Sequence, residues 1–525
     1  MNEGAIQALL ASQAARTGDT APVLRETHIS WVLLCGEHAW KIKKPLDLGF
    51  LDFSTVERRR YFCEQELSLN RRFAPELYLA VVPVTQGEDG PQLGGDGPVI
   101  DYAVQMRRFD EAQLLDNIAA RGGLDNSLLR ALARELARLH GELPTCHPAP
   151  EGEEPGAPQA LRAAIEDNFR QIRAYPLTAD DLRRLEAVSA WTRRRFDDLA
   201  PLLRRRVAEG WVIDGHGDAH LGNIALVDGE VRLFDCIEFN PGFRIMDSIA
   251  EAAFLTMDLE ARGYRGESRR LLTDYLEYRG DYKGLAVLDL YRSYYAMVRA
   301  KVNLLREAPD SPTLADGDAA AAFRRYLALA HHYCRQGELF FAITHGVSGT
   351  GKSTIAGNLV AASGAVRIRS DVERKRLFGL APEARSRPQD ESVLYSAEMS
   401  RRTFERLAGL AGTIVAAGFP VIVDATFLHR AVRDRFRALA ADLAVPFVII
   451  DCIARADLLR ERLRERERQG RDASEADVAV MEKQLGTDQP LTGDELTHRL
   501  AAESGEDGDA LLARCRALCR ALRSG

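Results

Sequence analysis

The chain has 525 residues, too many for one hydrophobic core, so two or three domains are expected. With 46% hydrophobic and 28% charged residues, a net charge of -7 and a pI near 6.0, it reads as an ordinary soluble protein. That balance excludes a general nucleic-acid coat or a strongly basic membrane-surface protein, and leaves small molecules and short oligonucleotides as partners.

The N-terminal string MNEGAIQALLASQAARTGDT carries Glu3 and no basic region ahead of a short apolar run, unlike a secretory signal. Residues 24–110 alternate short apolar runs with turns (WVLLCGE, HAWKIKK, YLAVVPV, YAVQMRRF), as strands of an antiparallel sheet do, interrupted by one helical stretch over 55–73. From 126 to 306 the pattern is mostly helical. It is broken by a strand-rich island at 211–239 and by the exposed Pro/Gly/acidic loop HPAPEGEEPGAPQ at 147–159. APDSPTLADG at 308–317 marks a break, after which a helix over 318–336 leads into the strand ELFFAITH. The expected division is therefore a first domain over 1–335, with an N-lobe at 24–110 and a helical lobe at 111–335, and a second over 336–525. Beyond 335, strands (LFFAIT, AVRIRS, PVIVDA, PFVIID) alternate with helices, the signature of a parallel sheet with flanking helices.

The longest apolar stretch, 407–423, is interrupted by Gly412, Gly418 and Pro420 and reads as a helix running into a strand, not a membrane span. Eight cysteines without a CxxC pair fit a reduced, cytoplasmic protein, and Cys515 and Cys519 read as two positions on a packed helical face.

The segment GVSGTGKS at 346–353 fits G-x-x-x-x-G-K-[ST] between a strand and a helix. Glycines let backbone N–H groups curl around phosphate, and a helix N-terminus adds partial positive charge. Gly346, Ser348, Gly349, Thr350, Gly351, Lys352, Ser353 and Thr354 are the candidate nucleotide-binding residues. Lys352 would reach the β- and γ-phosphates and Ser353 would bind Mg²⁺. Asp424, ending FPVIVD, is the candidate second metal carboxylate. Asp371, at the end of the second strand, would accept the proton of an acceptor hydroxyl. Arg374, one turn on, would hold an anionic group. The helix LLRERLRERERQGRD interleaves arginines with glutamates, either as a solvated helix or as a lid whose arginines neutralise charge.

In the first half the informative string is HGDAHLGNIALVDGEVRLFD, 216–235. Asp218 precedes Asn223 by five, and IALV, Asp228-Gly229 and VRLF form a hairpin that brings Asn223 and Asp235 to the same end of adjacent strands. Two oxygen ligands there suit Mg²⁺, and Asp218 suits a hydroxyl-accepting base. Lys41 on HAWKIKK, with Lys43 as the alternative on the same face, would pair with Glu66 or Glu64 and orient toward phosphate. Asp247 is read as an anchor for the loop around Asp218. Glu238 faces a cationic substrate or pairs with Arg244.

The C-terminal strings GVSGTGKS, SDVERKRL, VIVDATFLHR and the RLRER helix, over about 338–490, resemble the small P-loop kinases typified by gluconate kinase and the kinase domain of polynucleotide kinase. The resemblance implies that Asp371 activates the acceptor hydroxyl and that Arg462 and Arg466 touch nucleotide phosphates. HGDAHLGN and the strand to Asp235 resemble the aminoglycoside phosphotransferase and choline kinase group, which implies a protein-kinase-like fold over roughly 24–300. KIKKPLDLGFLDFST, ELSLNRRFAPELYL and FDCIEFNPGFRIMD further resemble a bacterial subfamily that fuses this domain to a P-loop kinase. RETHIS stands where that fold carries a Gly-rich loop.

The expected protein is a multidomain α/β and α+β enzyme using ATP and Mg²⁺ at two sites. Each site would phosphorylate a small-molecule hydroxyl acceptor such as a sugar, an aminoglycoside-like compound or a nucleotide 5′-hydroxyl. No membrane and no extensive nucleic-acid surface are expected. The alternative is a P-loop kinase or ATPase regulated by a non-catalytic, nucleotide-binding N-terminal domain.

Overall fold

The computed structural model describes residues 1–18, 22–49, 51–149, 152–305, 317–454, 459–463 and 478–524. The chain packs as two compact units. The first comprises 1–131, 139–171 and 196–258, and the second 132–138, 172–195 and 259–525. This division does not fall at 335, because helices Arg265–Arg279, Leu285–Leu304 and Asp318–Tyr333 belong to the second unit. Of the break read at 308–317, only Gly317 is among the described residues.

In the first unit, β1 (Val23–Glu26), β2 (Ser30–Cys35), β3 (His38–Lys43), β4 (Tyr78–Gly87), β5 (Gly90–Leu93) and β6 (Val99–Arg107) form one antiparallel sheet in the order β1-β2-β3-β6-β4-β5. One face is covered by helix Glu3–Thr17, whose Ile6, Leu9 and Leu10 pack on Trp31, Leu33, Trp40 and Ile42. Helix Val56–Asn70 starts where Thr55 Oγ1 accepts the Arg58 N–H at 3.2 Å, and buries Cys63 with Leu77, Tyr78 and Val104. Downstream, β7 (Val212–Asp214) pairs with β10 (Ile245–Asp247), and β8 (Ile224–Val227) forms a hairpin with β9 (Glu230–Leu233). The hairpin turn sets Asp228 at φ 54° and Gly229 at φ 83°, as a two-residue turn between right-twisted strands requires.

The second unit carries a parallel sheet of β11 (Phe341–His345), β12 (Val366–Arg369), β13 (Val421–Asp424), β14 (Phe447–Ile453) and β15 (Arg499–Glu503), ordered β12-β13-β11-β14-β15. Its three middle strands, β13, β11 and β14, are near-continuous buried runs because helices cover both faces. Helices Lys352–Ser363 and Gly508–Ser524 pack on it through Ile355, Leu359, Leu511, Cys515 and Cys519. The two cysteines thus sit in the core. The apolar stretch 407–423 resolves into helix Ala397–Ala416 and the start of β13. β11 is central and β13 adjacent, so the loop after β11 and the carboxylate ending β13 emerge side by side, in a P-loop fold. No described helix is long and apolar enough to cross a membrane.

Candidate functional site

Residues 346–351 join β11 directly to helix Lys352–Ser363. Gly349 and Gly351 take φ of 90° and 89°, and a Cβ on Gly351 would lie 2.8 Å from the Ser504 side chain, so only glycine fits the bend. Thr350 Oγ1 donates to Val347 O at 2.9 Å, pinning the loop on itself, and Lys352 Nζ donates to Val347 O at 2.8 Å. Ser353 and the exposed Thr354 occupy the first turn of the helix. Asp424 closes β13 with Oδ1 3.5 Å from Thr344 Oγ1, while its Oδ2 is buried with no hydrogen-bond partner among the described residues. A buried, unsatisfied carboxylate oxygen beside a P-loop is the arrangement a hard cation relieves.

Asp371 lies in the first turn of helix Ser370–Phe378, whose N-cap is Arg369, so its carboxylate is not used for capping. Arg374 Nη1 donates to Asp371 Oδ1 at 3.2 Å, and its guanidinium lies over the Tyr395 ring at 5.2 Å. On the arginine-rich segment, Arg462 Nη1 donates to Gly349 O at 3.5 Å; Arg466 lies outside the described residues.

In the first unit, Lys41 Nζ lies 2.9 Å from Glu66 Oε1 and also bonds Asp235 Oδ1. Lys43 binds the other Glu66 oxygen at 2.7 Å and pairs with Glu238. The two lysines read as alternatives therefore share one carboxylate, while Glu64 pairs with Arg60 at the surface. Of the two readings of Glu238, a cationic substrate or a pair with Arg244, the pair does not form. Arg244 goes to Asp214 at 2.7 Å, because β10 and β7 lie side by side. Burial opposes charge on Lys41, but Asp235, Glu66 and Glu238 outweigh it and hold its pKa well above the ordinary value. Burial likewise pushes Glu66 up, yet Lys41 and Lys43 overcome it and the carboxyl stays well below its usual range.

The loop 214–223 sets Asp218 against Asn223, whose Nδ2 donates to Asp218 Oδ2 at 3.1 Å and to its carbonyl at 3.1 Å, so Oδ1 is the atom of Asn223 that could hold a metal. The Phe234 N–H donates to Asn223 O at 3.0 Å, so Asp235 sits one residue beyond Asn223 on the neighbouring strand. Asp235 has φ 62°, an unusual backbone for a non-glycine residue. It is fixed from both sides: its N–H donates to Tyr78 Oη at 2.9 Å, and the Cys236 N–H donates to Asn70 Oδ1 at 2.9 Å.

Sequence reasoning misplaced the loop's anchor. Asp247 binds Arg206 at 2.6 Å and caps helix Ser248–Ala261 through the Ile249 N–H, so it secures the helix. The loop itself hangs on Glu251, whose Oε1 accepts the His216 and Gly217 N–H groups at 2.8 and 2.9 Å and whose Oε2 meets His140 Nε2 at 2.8 Å. No local motif marks Glu251, 35 residues after His216. Burial would raise its pKa, but His140 and the Gly217 N–H outweigh that and hold it at about 2. Its folded pKa is below the ordinary carboxyl value of 4.5, so its stabilisation is complete above that pH and lost as pH falls toward about 2. Thermal melts of the wild type and Glu251→Gln should therefore differ by a constant Tm gap above pH 4.5 that closes toward pH 2; a gap independent of pH would contradict the assignment.

Residues 341–491 match the AAA domain family. Rv2004c of Mycobacterium tuberculosis (strain ATCC 25618 / H37Rv), described as an uncharacterized protein, is 32% identical over 461 residues, covering 87% of this chain and 88% of its own. Among solved structures, a choline/ethanolamine kinase family protein from Mesorhizobium loti is similar at 13% identity over 62% of this chain and 99% of its own, with a TM-score of 0.37. A gluconokinase from Sinorhizobium meliloti 1021 is similar at 21% identity over 36% of this chain and 94% of its own, with a TM-score of 0.23. By the extent and identity of the first match, the chain belongs to the family of the mycobacterial protein Rv2004c.

Proposed function

We propose that the chain is an ATP-dependent phosphotransferase with two nucleotide sites, each moving a γ-phosphoryl group onto an acceptor hydroxyl. The observation that carries the reading is the P-loop with Lys352 and Ser353 beside the buried Asp424 Oδ2, which has no hydrogen-bond partner among the described residues. Ser353 and Asp424 would hold Mg²⁺ at this site, and Asn223 and Asp235 at the other. The ion, when bound, neutralises phosphate charge.

The protein's own part is positioning and proton handling. At the P-loop, backbone N–H groups and Lys352 hold the phosphates in line. Asp371 accepts the acceptor's hydroxyl proton while the oxygen attacks phosphorus, the bond from phosphorus to the β-bridging oxygen breaks, and ADP leaves. Arg374, already on Asp371, orients that carboxylate and meets an anionic part of the acceptor. In the first unit Asp218 plays the accepting role, and Lys41, held by Glu66, faces the phosphates. Supporting acceptors are small hydroxyl compounds: sugars, aminoglycoside-like molecules or nucleotide 5′-hydroxyls.

One observation favours a second reading for the first unit. β1 and β2 are joined by Thr27–Ile29 in a tight turn, with the Thr27 N–H on Ser30 O at 2.9 Å and no glycine to wrap phosphate. In that reading the unit senses nucleotide and regulates the P-loop half. Labelled ATP with pooled acceptors separates the two. Two products, one lost with Asp218→Ala and the other with Lys352→Ala, are expected. A single product insensitive to Asp218→Ala would leave only the regulatory role.

A further inference from the structure

A cavity of about 500 Å³ lies in the second unit, at the end of the parallel sheet away from the P-loop. Phe340, Val366 and Pro420 line it at the starts of β11, β12 and β13, whereas the P-loop leaves the other end of β11. None of its lining residues belongs to 346–353. The volume falls within the range of small-molecule sites, about 300–1,000 Å³.

Part of the lining is polar and buried. Glu260 accepts from Tyr333 Oη at 3.0 Å and from Ser268 Oγ at 3.2 Å. Arg292 lies over the Tyr333 ring at 5.6 Å and reaches Asp289 Oδ1 at 3.5 Å. The side chains of Glu260, Arg292 and Tyr333 are buried, while that of Asp289 is 35% exposed.

Charge around the cavity is unbalanced. Among the described residues, seven arginines line it against three carboxylates. Helices Asp318–Tyr333, Lys352–Ser363 and Ala397–Ala416 also end on it. Their carbonyl ends are worth about half a negative charge each, which still leaves about two positive charges over. Three of the arginines are fixed by main-chain carbonyls, which hold a guanidinium without cancelling its charge. Arg195 donates to Ala286 O at 3.0 Å, Arg269 to Ala361 O and Ala362 O at 2.8 and 2.6 Å, and Arg523 to Leu339 O at 3.1 Å. Burial lowers the pKa of Arg269; Glu260 works against that, and Arg265, Arg292 and Arg516 lower it further. Guanidiniums that repel one another across a cavity are relieved by an anion, and their planar forks match phosphate.

We propose that this cavity is a binding site for a small phosphate ester that carries hydroxyl groups. Arg195, Arg269 and Arg292 take the phosphate, and Asp289 accepts a hydrogen bond from a hydroxyl. A ligand with anionic groups alone would meet that carboxylate unfavourably. The site shares no residue with either nucleotide reading and does not depend on them.

Calorimetric titration of the full chain tests the assignment, in excess ADP and Mg²⁺ so that phosphate-binding loops are occupied. The probes are glucose 6-phosphate, glycerol 3-phosphate, glucose and inorganic phosphate. At least one ester should bind about tenfold more tightly than inorganic phosphate, and glucose should not bind. Arg195→Gln and Arg269→Gln should each weaken the ester about tenfold or more, the worth of one charge-assisted hydrogen bond. Asp289→Asn should act in the opposite direction on inorganic phosphate, tightening it about three- to tenfold by removing a like charge, while the ester's lead narrows. A general loosening of the fold cannot produce both signs. Hydrogen exchange should slow over 332–340 and 416–420 when the ester is added. Binding by neither ester, ester binding unchanged in both arginine variants, or weaker phosphate binding in Asp289→Asn overturns the proposal.

Discussion

Glu66→Ala is expected to destabilise the first unit by about 3–5 kcal/mol, because it strands two buried ammonium groups at once. Lys43 is fully buried and Lys41 nearly so, and Glu66 sits between them with one oxygen on each. Removing the carboxylate leaves Lys43 with Glu238 and Lys41 with Asp235, each balancing a charge in a low-dielectric site with half the previous partners. Urea unfolding of the variant measures the loss. Glu64→Ala is the comparison, since its surface pair with Arg60 is worth under about 1 kcal/mol. Equal losses for the two variants would show that the Lys41–Glu66–Lys43 bridge does not hold this unit together.

The largest kinetic effect belongs to Asp424→Asn. The substitution keeps shape but removes the charge beside the P-loop, and phosphoryl transfer from that site should fall about 10²–10³-fold. Nucleotide affinity measured without divalent ion should hardly change. The fold should survive, because the Thr344 hydroxyl that bonds near Asp424 also donates to Ala425 O at 2.7 Å. Initial rates over a range of Mg²⁺ concentrations check the claim. A variant with wild-type rate and metal dependence would remove Asp424 from the site.

Much of this arrangement was legible in the sequence wherever chemistry depends on neighbours in the chain. GVSGTGKS carries its own bend, and its glycines occupy the positive-φ positions the bend needs. HGDAHLGN with Asp228-Gly229 likewise dictates a hairpin, which brings Asn223 and Asp235 together. What stayed hidden depends on long-range burial. Glu251 acts on backbone N–H groups far upstream, and Arg195 and Arg516 come to line one cavity only in the fold. The choice between Lys41 and Lys43 was undecidable from strand alternation, since both side chains share a face and both reach Glu66. Pairing Glu238 with nearby Arg244 failed for the same reason: proximity in sequence weighed more than the burial of Lys43, which needed a second carboxylate.

The helices before 335 that pack with the parallel sheet bear on how such a chain evolves. Arg367 on β12 is buried with its guanidinium on Glu277, at 2.8 Å, and Asp274, at 3.4 Å, both from helix Arg265–Arg279. Arg376 reaches the Glu277 carbonyl, and Arg269 caps the P-loop helix through Ala361 O and Ala362 O at 2.8 and 2.6 Å. A gene split at residue 335 would strip Arg367 of both its carboxylates and Arg376 of the Glu277 carbonyl, leaving buried charge to be compensated in the same step. Charges buried across a border act as a ratchet. Wherever such pairs span a boundary between coding regions, separating the regions costs more than keeping them together.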